Sequence, residues 1–245
     1  MRSLEMPHHD FDVGERCVYC LTDMRTWPDE QKTDEHIIPP AINGELIIRH
    51  GACLKCAELS NKGYENIALN NDLLFPRRIL ELRKSRNRGS KNEKPPKPLP
   101  PIAVGNHTMT PGVAVFDMAI SKEQYPQAFS LIMFPRAGFL AGADRTNGIT
   151  SMRIQLFNLA RKRDTLNDVT TRQPFANGPF AKMVAKIGYC YAVAKLGFDA
   201  FDGDAIRELL AGKRDDVYNF VGNVEKPEAL SIRRIHALYL REQDG

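Results

Sequence analysis

The pattern of apolar and polar positions changes near residue 101. Before it, apolar residues come in short clusters such as Ile37-Ile38 and Leu46-Ile47-Ile48, broken by charged and turn-forming residues. After it, residues 112–120 and 129–134 are β-branched and aromatic runs bounded by Pro or Gly, which predicts strands. Residues 152–157 alternate apolar and mixed positions and predict a further strand. From Phe180 the spacing lengthens to three and four, and Met183, Val184, Ile187, Tyr191 and Ala194 mark one face of a helix. Residues 205–210, closed by Gly212, and 232–240 predict shorter helices, and 78–83 closes another. The fold class expected is α+β, with no internal repeat.

Composition sets the boundaries. At 245 residues, 42% hydrophobic and 26% charged, the chain can bury a real core in one large domain or two smaller ones. No apolar run reaches the roughly 18 residues of a membrane span, and the first ten residues lack the apolar centre of a secretory signal. The formal net charge of +4 is too small to establish nucleic-acid binding, but it is unevenly placed. Arg77, Arg78, Arg83, Lys84, Arg86, Arg88, Lys91, Lys94 and Lys97 face only Glu81 and Glu93, and from Arg86 to Pro101 the chain is also dense in Pro and Gly. Such a run reads either as a solvated connector or as an arm that displaces counterions from a phosphate backbone, with Arg77, Arg78, Arg83 and Lys84 as its first contacts. The organisation expected is a module at 1–75, a basic Pro-rich linker at 76–110 and an α+β accessory domain at 111–245.

Five cysteines are an odd number, which suits a disulfide framework poorly and an intracellular, cytoplasmic chain better. Cys17-Val-Tyr-Cys20 and Cys53-Leu-Lys-Cys56 are two Cys-x-x-Cys knuckles, whereas Cys190 stands alone in an apolar stretch. Each knuckle offers a thiolate pair to one face of a tetrahedral ion, so together they predict a structural Zn²⁺ site. A redox pair of the thioredoxin kind is the alternative for one knuckle, and the second knuckle argues against it. His50 lies three residues before Cys53, but four cysteines leave it no vacancy.

Between the knuckles stands Asp34-Glu35-His36-Ile37-Ile38-Pro39, followed by an Asn43-Gly44 turn, the apolar strand Leu46-Ile47-Ile48 and a knuckle that opens a helix. Strand, turn, strand and helix, clamped by zinc, resemble the HNH endonuclease family in its zinc-stapled branch. The resemblance covers residues 17–65, about the first third of the chain. It implies a ββα-metal module in which His36 is the general base toward water attacking a scissile phosphate in DNA. It also implies that Glu35 holds a catalytic divalent ion, Mg²⁺ or Mn²⁺. A neutral imidazole is chemically suited to the first task and a hard cation to the second. The family places a His or Asn ligand directly after the last cysteine, and here that residue is Ala57. Asn61 lies one helical turn further on the same face and is the substitute expected, with Glu65 and Glu58 behind it. Asn61 before Gly63 is equally well placed as a helix C-cap.

Two functions follow from these residues. One is a DNA endonuclease with Zn²⁺ in the scaffold, His36 as base, and Glu35 with Asn61 on the catalytic ion. The other is a non-catalytic zinc module that binds nucleic acid or protein, with Ala57 marking a lost ligand.

Overall fold

A computed structural model describes residues 9–79, 82, 102–104, 116–118, 127–145, 151–157, 169–171, 176–223 and 238. Its N-terminal sheet runs in the order β1-β3-β2, from β1 (His9–Phe11), β2 (Lys32–His36) and β3 (Leu46–Cys53). β1 lies parallel to β3, and β2 pairs antiparallel to it with Glu35 opposite Ile48 and His36 opposite Ile47. The connection between β2 and β3 forms at the expected turn. Asn43 adopts a left-handed conformation at φ 62°, and Gly44 packs so closely that a Cβ would meet the Ile38 carbonyl oxygen at 1.9 Å. Only glycine fits there.

The β2–β3 ladder contains one irregularity that matters for the site. Thr33 pairs with Ala52 and Glu35 with Ile48, so Asp34 alone faces Arg49, His50 and Gly51. The Asp34 carboxylate fills this bulge, accepting the His50 backbone N–H at 3.0 Å and the Arg49 guanidinium at 2.6 Å. Those bonds hold His50 at a left-handed φ of 47°, a conformation that a side chain with a Cβ rarely adopts. Gly51 next to it has no room for a side chain, because a Cβ would sit 2.8 Å from Ile48 and 3.0 Å from Glu35.

The helical layer starts at the second knuckle. α1 (Leu54–Ser60) continues through a π-helical turn (Asn61–Glu65) into α2 (Asn66–Asn70), and α3 (Leu74–Ile79) follows. Asn61 keeps right-handed helical angles, so the helix passes through the position where a C-cap was equally expected. Instead the helix gains one residue per turn locally, a device that re-aims the side chains following it.

Further on, β4 (Ile102–Val104) pairs with β5 (Phe116–Met118) and β8 (Val169–Thr171), while β6 (Gln127–Met133) pairs with β7 (Ser151–Phe157). These include the strands expected within 112–120, 129–134 and 152–157. α4 (Gly138–Ala141), α5 (Asn177–Leu196) and α6 (Asp204–Leu210) complete the α+β set. Apart from Leu238, the helix expected at 232–240 lies outside the described residues, as does the linker from Arg86 to Pro101.

One cluster of buried residues joins Cys17, Val18, Ile37, Ile48 and Tyr64 to Met183, Tyr189, Cys190 and Val193 of α5. The Tyr189 hydroxyl donates to the Val18 carbonyl at 2.7 Å, inside the first knuckle, and the Ala176 N–H donates to Asp72 at 3.0 Å. α5 therefore packs as the wall of the N-terminal sheet and helix. No helix among the described residues is long and apolar enough to cross a membrane.

Candidate functional site

The four knuckle cysteines meet. Their sulfur atoms all lie within 4.8 Å of one another, although Cys17 and Cys53 are 36 residues apart. The first knuckle is shaped by its own backbone, with Leu21 N–H donating to the Cys17 carbonyl at 2.8 Å and Leu21 at φ 59°. It is tied to the bulge, since Val18 N–H donates to the Gly51 carbonyl at 2.8 Å. The second knuckle is the end of β3 and the first turn of α1. Cys53 N–H points at the Cys17 sulfur, 3.4 Å away. Hydrogen bonding from Cys56 draws the Cys17 thiol well below its ordinary value, whereas burial pushes Cys53 up. A set of four thiols with one already inclined to ionise fits a metal ion such as Zn²⁺, which would claim all four as thiolates. The fifth cysteine, Cys190, is fully buried in α5 and belongs to the packing.

A second polar centre lies beneath the sheet, and it is built differently from the site the resemblance implies. Glu35 is only 5% exposed. Its carboxylate pairs with the ammonium of Lys186, which α5 brings from 150 residues away and which is itself 1% exposed. Glu65, re-aimed by the π turn, reaches the same ammonium at 2.8 Å. Lys186 also donates to the His36 carbonyl and approaches the Ile37 carbonyl at 3.5 Å. Burial pushes the Tyr19 and Tyr64 hydroxyls up, and the Glu35 carboxylate beside them adds to the shift. Burial pushes the Glu35 carboxyl up, and the Lys186 charge opposes that shift. Glu35, Glu65 and Lys186 thus form a compact ion-pair cluster, flanked by the buried Tyr19 and Tyr64 hydroxyls, which bond to no described residue.

His36 ends β2 at the rim of this network and is half-buried. Burial lowers its pKa first, and the Lys186 ammonium adds to the effect. The imidazole is therefore neutral at neutral pH, and its Nδ1 makes no hydrogen bond to a described residue. A neutral imidazole is able to accept a proton.

The residues expected to hold a catalytic divalent ion are not brought together in this way. Glu35 is occupied by Lys186, and a lysine ammonium lies where a cation bridging Glu35 and Glu65 would sit. Asn61 is exposed on the π turn, and its side chain bonds to neither Glu35 nor His36. Among the described residues, the four cysteines form the group suited to a metal ion. Glu35 and Asn61 do not fit a Mg²⁺ or Mn²⁺ site as they stand. Of the basic contacts expected, Arg77 donates to the carbonyls of Ala41 at 3.1 Å and Leu69 at 2.9 Å, so its guanidinium fastens α3 to the module. The side chain of Arg78, and Arg83 and Lys84, lie outside the described residues.

Lys186 is the residue that reading the sequence missed. Its only signal was a charged position inside the apolar stretch Met183-Val-Ala-Lys-Ile187, where a paired buried charge is the usual explanation. Comparison with protein families, curated proteins and solved structures returned no match to this chain.

Proposed function

We propose that the chain is an endonuclease of the zinc-stapled HNH type, hydrolysing phosphodiester bonds in DNA with His36 as general base. The observation that carries this reading is the neutral imidazole of His36 at the end of a strand whose hairpin four cysteines clamp to the following helix. The imidazole would take a proton from the water that attacks phosphorus, while the P–O bond to the leaving sugar oxygen breaks. Zn²⁺ on Cys17, Cys20, Cys53 and Cys56 would supply rigidity to the hairpin and helix. The divalent Mg²⁺ or Mn²⁺ implied by the resemblance is given no step, because Glu35 and Asn61 do not form its site. Arg78, Arg83 and Lys84 are the basic residues left to track the DNA backbone.

Lys186 favours a second reading. An acid already neutralised by a buried ammonium has no charge left over for a catalytic ion, which suits a non-catalytic module that binds nucleic acid or protein. One experiment separates the two. Zinc-loaded protein is incubated with supercoiled plasmid, with and without added Mg²⁺ or Mn²⁺, beside His36→Ala. Under the nuclease reading wild type nicks or cuts, and His36→Ala loses at least about a hundredfold of the rate while keeping its zinc and its fold, the usual scale for a general base. Equal inertness of both proteins, with DNA binding retained, establishes the binding module instead.

A further inference from the structure

We propose that Lys186 is a positioning residue for His36, so that helix α5 sets the geometry of the base; this rests on the reading of His36 as general base. The peptide joining His36 to Ile37 is held at both ends: its N–H, on Ile37, donates to the Leu46 carbonyl at 2.9 Å, and its carbonyl, on His36, accepts from Lys186. That peptide follows the last ladder pair of β2, His36 with Ile47. With the preceding peptide held in the ladder, fixing its plane fixes the direction of the His36 Cα–Cβ bond. The ring has no hydrogen bond at Nδ1 to orient it, so that direction bears on where the imidazole sits.

A lysine that served only as counter-ion would need its acids alone. Lys186 forms ion pairs with Glu35 and with Glu65 at 2.8 Å, but its hydrogen bonds go to backbone, to the His36 carbonyl and to the Ile37 carbonyl at 3.5 Å. Its carboxylate partners hold the ammonium in place, and the ammonium in turn holds the strand end. The arrangement links residues 36 and 186 through a group that is 1% exposed and that solvent cannot replace.

The test uses the zinc-loaded full chain as wild type, Glu35→Gln, Lys186→Met and the triple variant Glu35→Gln/Glu65→Gln/Lys186→Met. Lys186→Met alone leaves two carboxylates without a cation and can fail to fold; the triple variant removes all three charges and regains the stability lost. The readouts are the His36 Cε1–Hε1 NMR signal, assigned by its loss in His36→Ala, amide exchange at Ile37, and plasmid cleavage. In Glu35→Gln the His36 signal and Ile37 exchange are expected to stay at wild-type values, because Lys186 keeps Glu65 and its bond to the carbonyl. In the triple variant the signal is displaced and Ile37 exchanges about tenfold faster, despite restored stability. Turnover there falls about a hundredfold with KM for DNA unchanged, the effect of misplacing a reacting group by an ångström or so. A wild-type signal and exchange in the triple variant would overturn the proposal and leave Lys186 a counter-ion. Equal displacement in Glu35→Gln alone would overturn it too, by assigning the effect to the acid. If wild type cleaves nothing, the nuclease reading fails, while the NMR and exchange arms still decide the role of Lys186.

Discussion

At the scale of single residues, His36 carries the most direct consequence of the buried network. Burial and the Lys186 charge both disfavour its imidazolium, so its folded pKa lies below the ordinary value of about 6.5. The unfolded chain then binds a proton near pH 6.5 that the folded chain refuses. Stability contributed by neutral His36 is therefore present above about pH 6.5, declines as pH falls from there, and stops declining below the lowered folded value. Urea midpoints at about pH 7.5 and pH 5.5 check this: wild type should lose more on acidification than His36→Gln, which has nothing to protonate. If the two lose equally, burial does not suppress the charge. The same shift should place the acid limb of any cleavage profile below about pH 6.5, since the base stays unprotonated further down. His36 and the four cysteines were legible in the sequence because their chemistry is local: two short spacings and an acid-histidine pair. Lys186 was not, because its partners are 150 residues away and a lysine inside a helical apolar run gives no hint of which strand it will meet. Cys190 was legible as a bystander, and it is one.

At the scale of elements, the strands and helices were legible from periodicity, but their irregularities were not, and those irregularities build the site. Only Leu46-Ile47-Ile48 was expected as a strand; it runs on to Cys53, and three of its residues crowd opposite Asp34. Nothing in Arg49-His50-Gly51 announces a bulge except the glycine. The helix 177–196 was expected from its spacing, with a face through Met183, Ile187 and Tyr191. Met183 is buried as expected, Ile187 and Tyr191 are only partly buried, and the rest of the deep face runs through Ala181, Ala185, Lys186, Tyr189, Cys190 and Val193. The sequence pattern discounted lysine as an interior residue, and pairing reverses that rule. Asn61 looked like a helix end because Gly63 follows, but a π turn absorbs both and swings Glu65 inward. The bulge gives a prediction that separates sequence cost from function. Asp34→Ala removes the acceptor for the His50 N–H and the partner of Arg49, and should destabilise by about 1–3 kcal/mol, the cost of stranding a part-buried donor. His50→Gly should stabilise by about 1 kcal/mol, because glycine takes the left-handed conformation without strain. Denaturant unfolding of the two variants reads both signs. If His50→Gly is as damaging as Asp34→Ala, the bulge depends on the imidazole and not on its backbone.

At the scale of the whole molecule, the question is whether the zinc-clamped hairpin and helix are a unit or only part of one. The cysteine spacing and the Pro-rich stretch suggested a self-sufficient module ending near residue 75. Three features place α5 inside that module: Lys186 pairs with Glu35 and Glu65, Tyr189 bonds within the first knuckle, and the buried cluster runs through both segments. Zinc alone contributes a great deal to small domains, often more than 10 kcal/mol on apparent scales, so a fragment of residues 1–79 will still gather the ion. It should nevertheless fail to reach the native state. Without α5 it keeps two inward-facing carboxylates with no cation, and removing one partner of a buried pair costs about 3–5 kcal/mol before the lost apolar contacts are counted. At roughly 2–4 °C per kcal/mol for a chain of this size, the zinc-loaded fragment should melt at least about 10 °C below the full chain. Trp27, the single tryptophan and part of the shared core, reports the transition by fluorescence. Adding Glu35→Gln and Glu65→Gln to the fragment should recover part of the deficit, because the stranded charges are gone, and the remainder measures apolar packing by α5. A fragment that melts with the full chain would show that α5 rests against the module without supporting it.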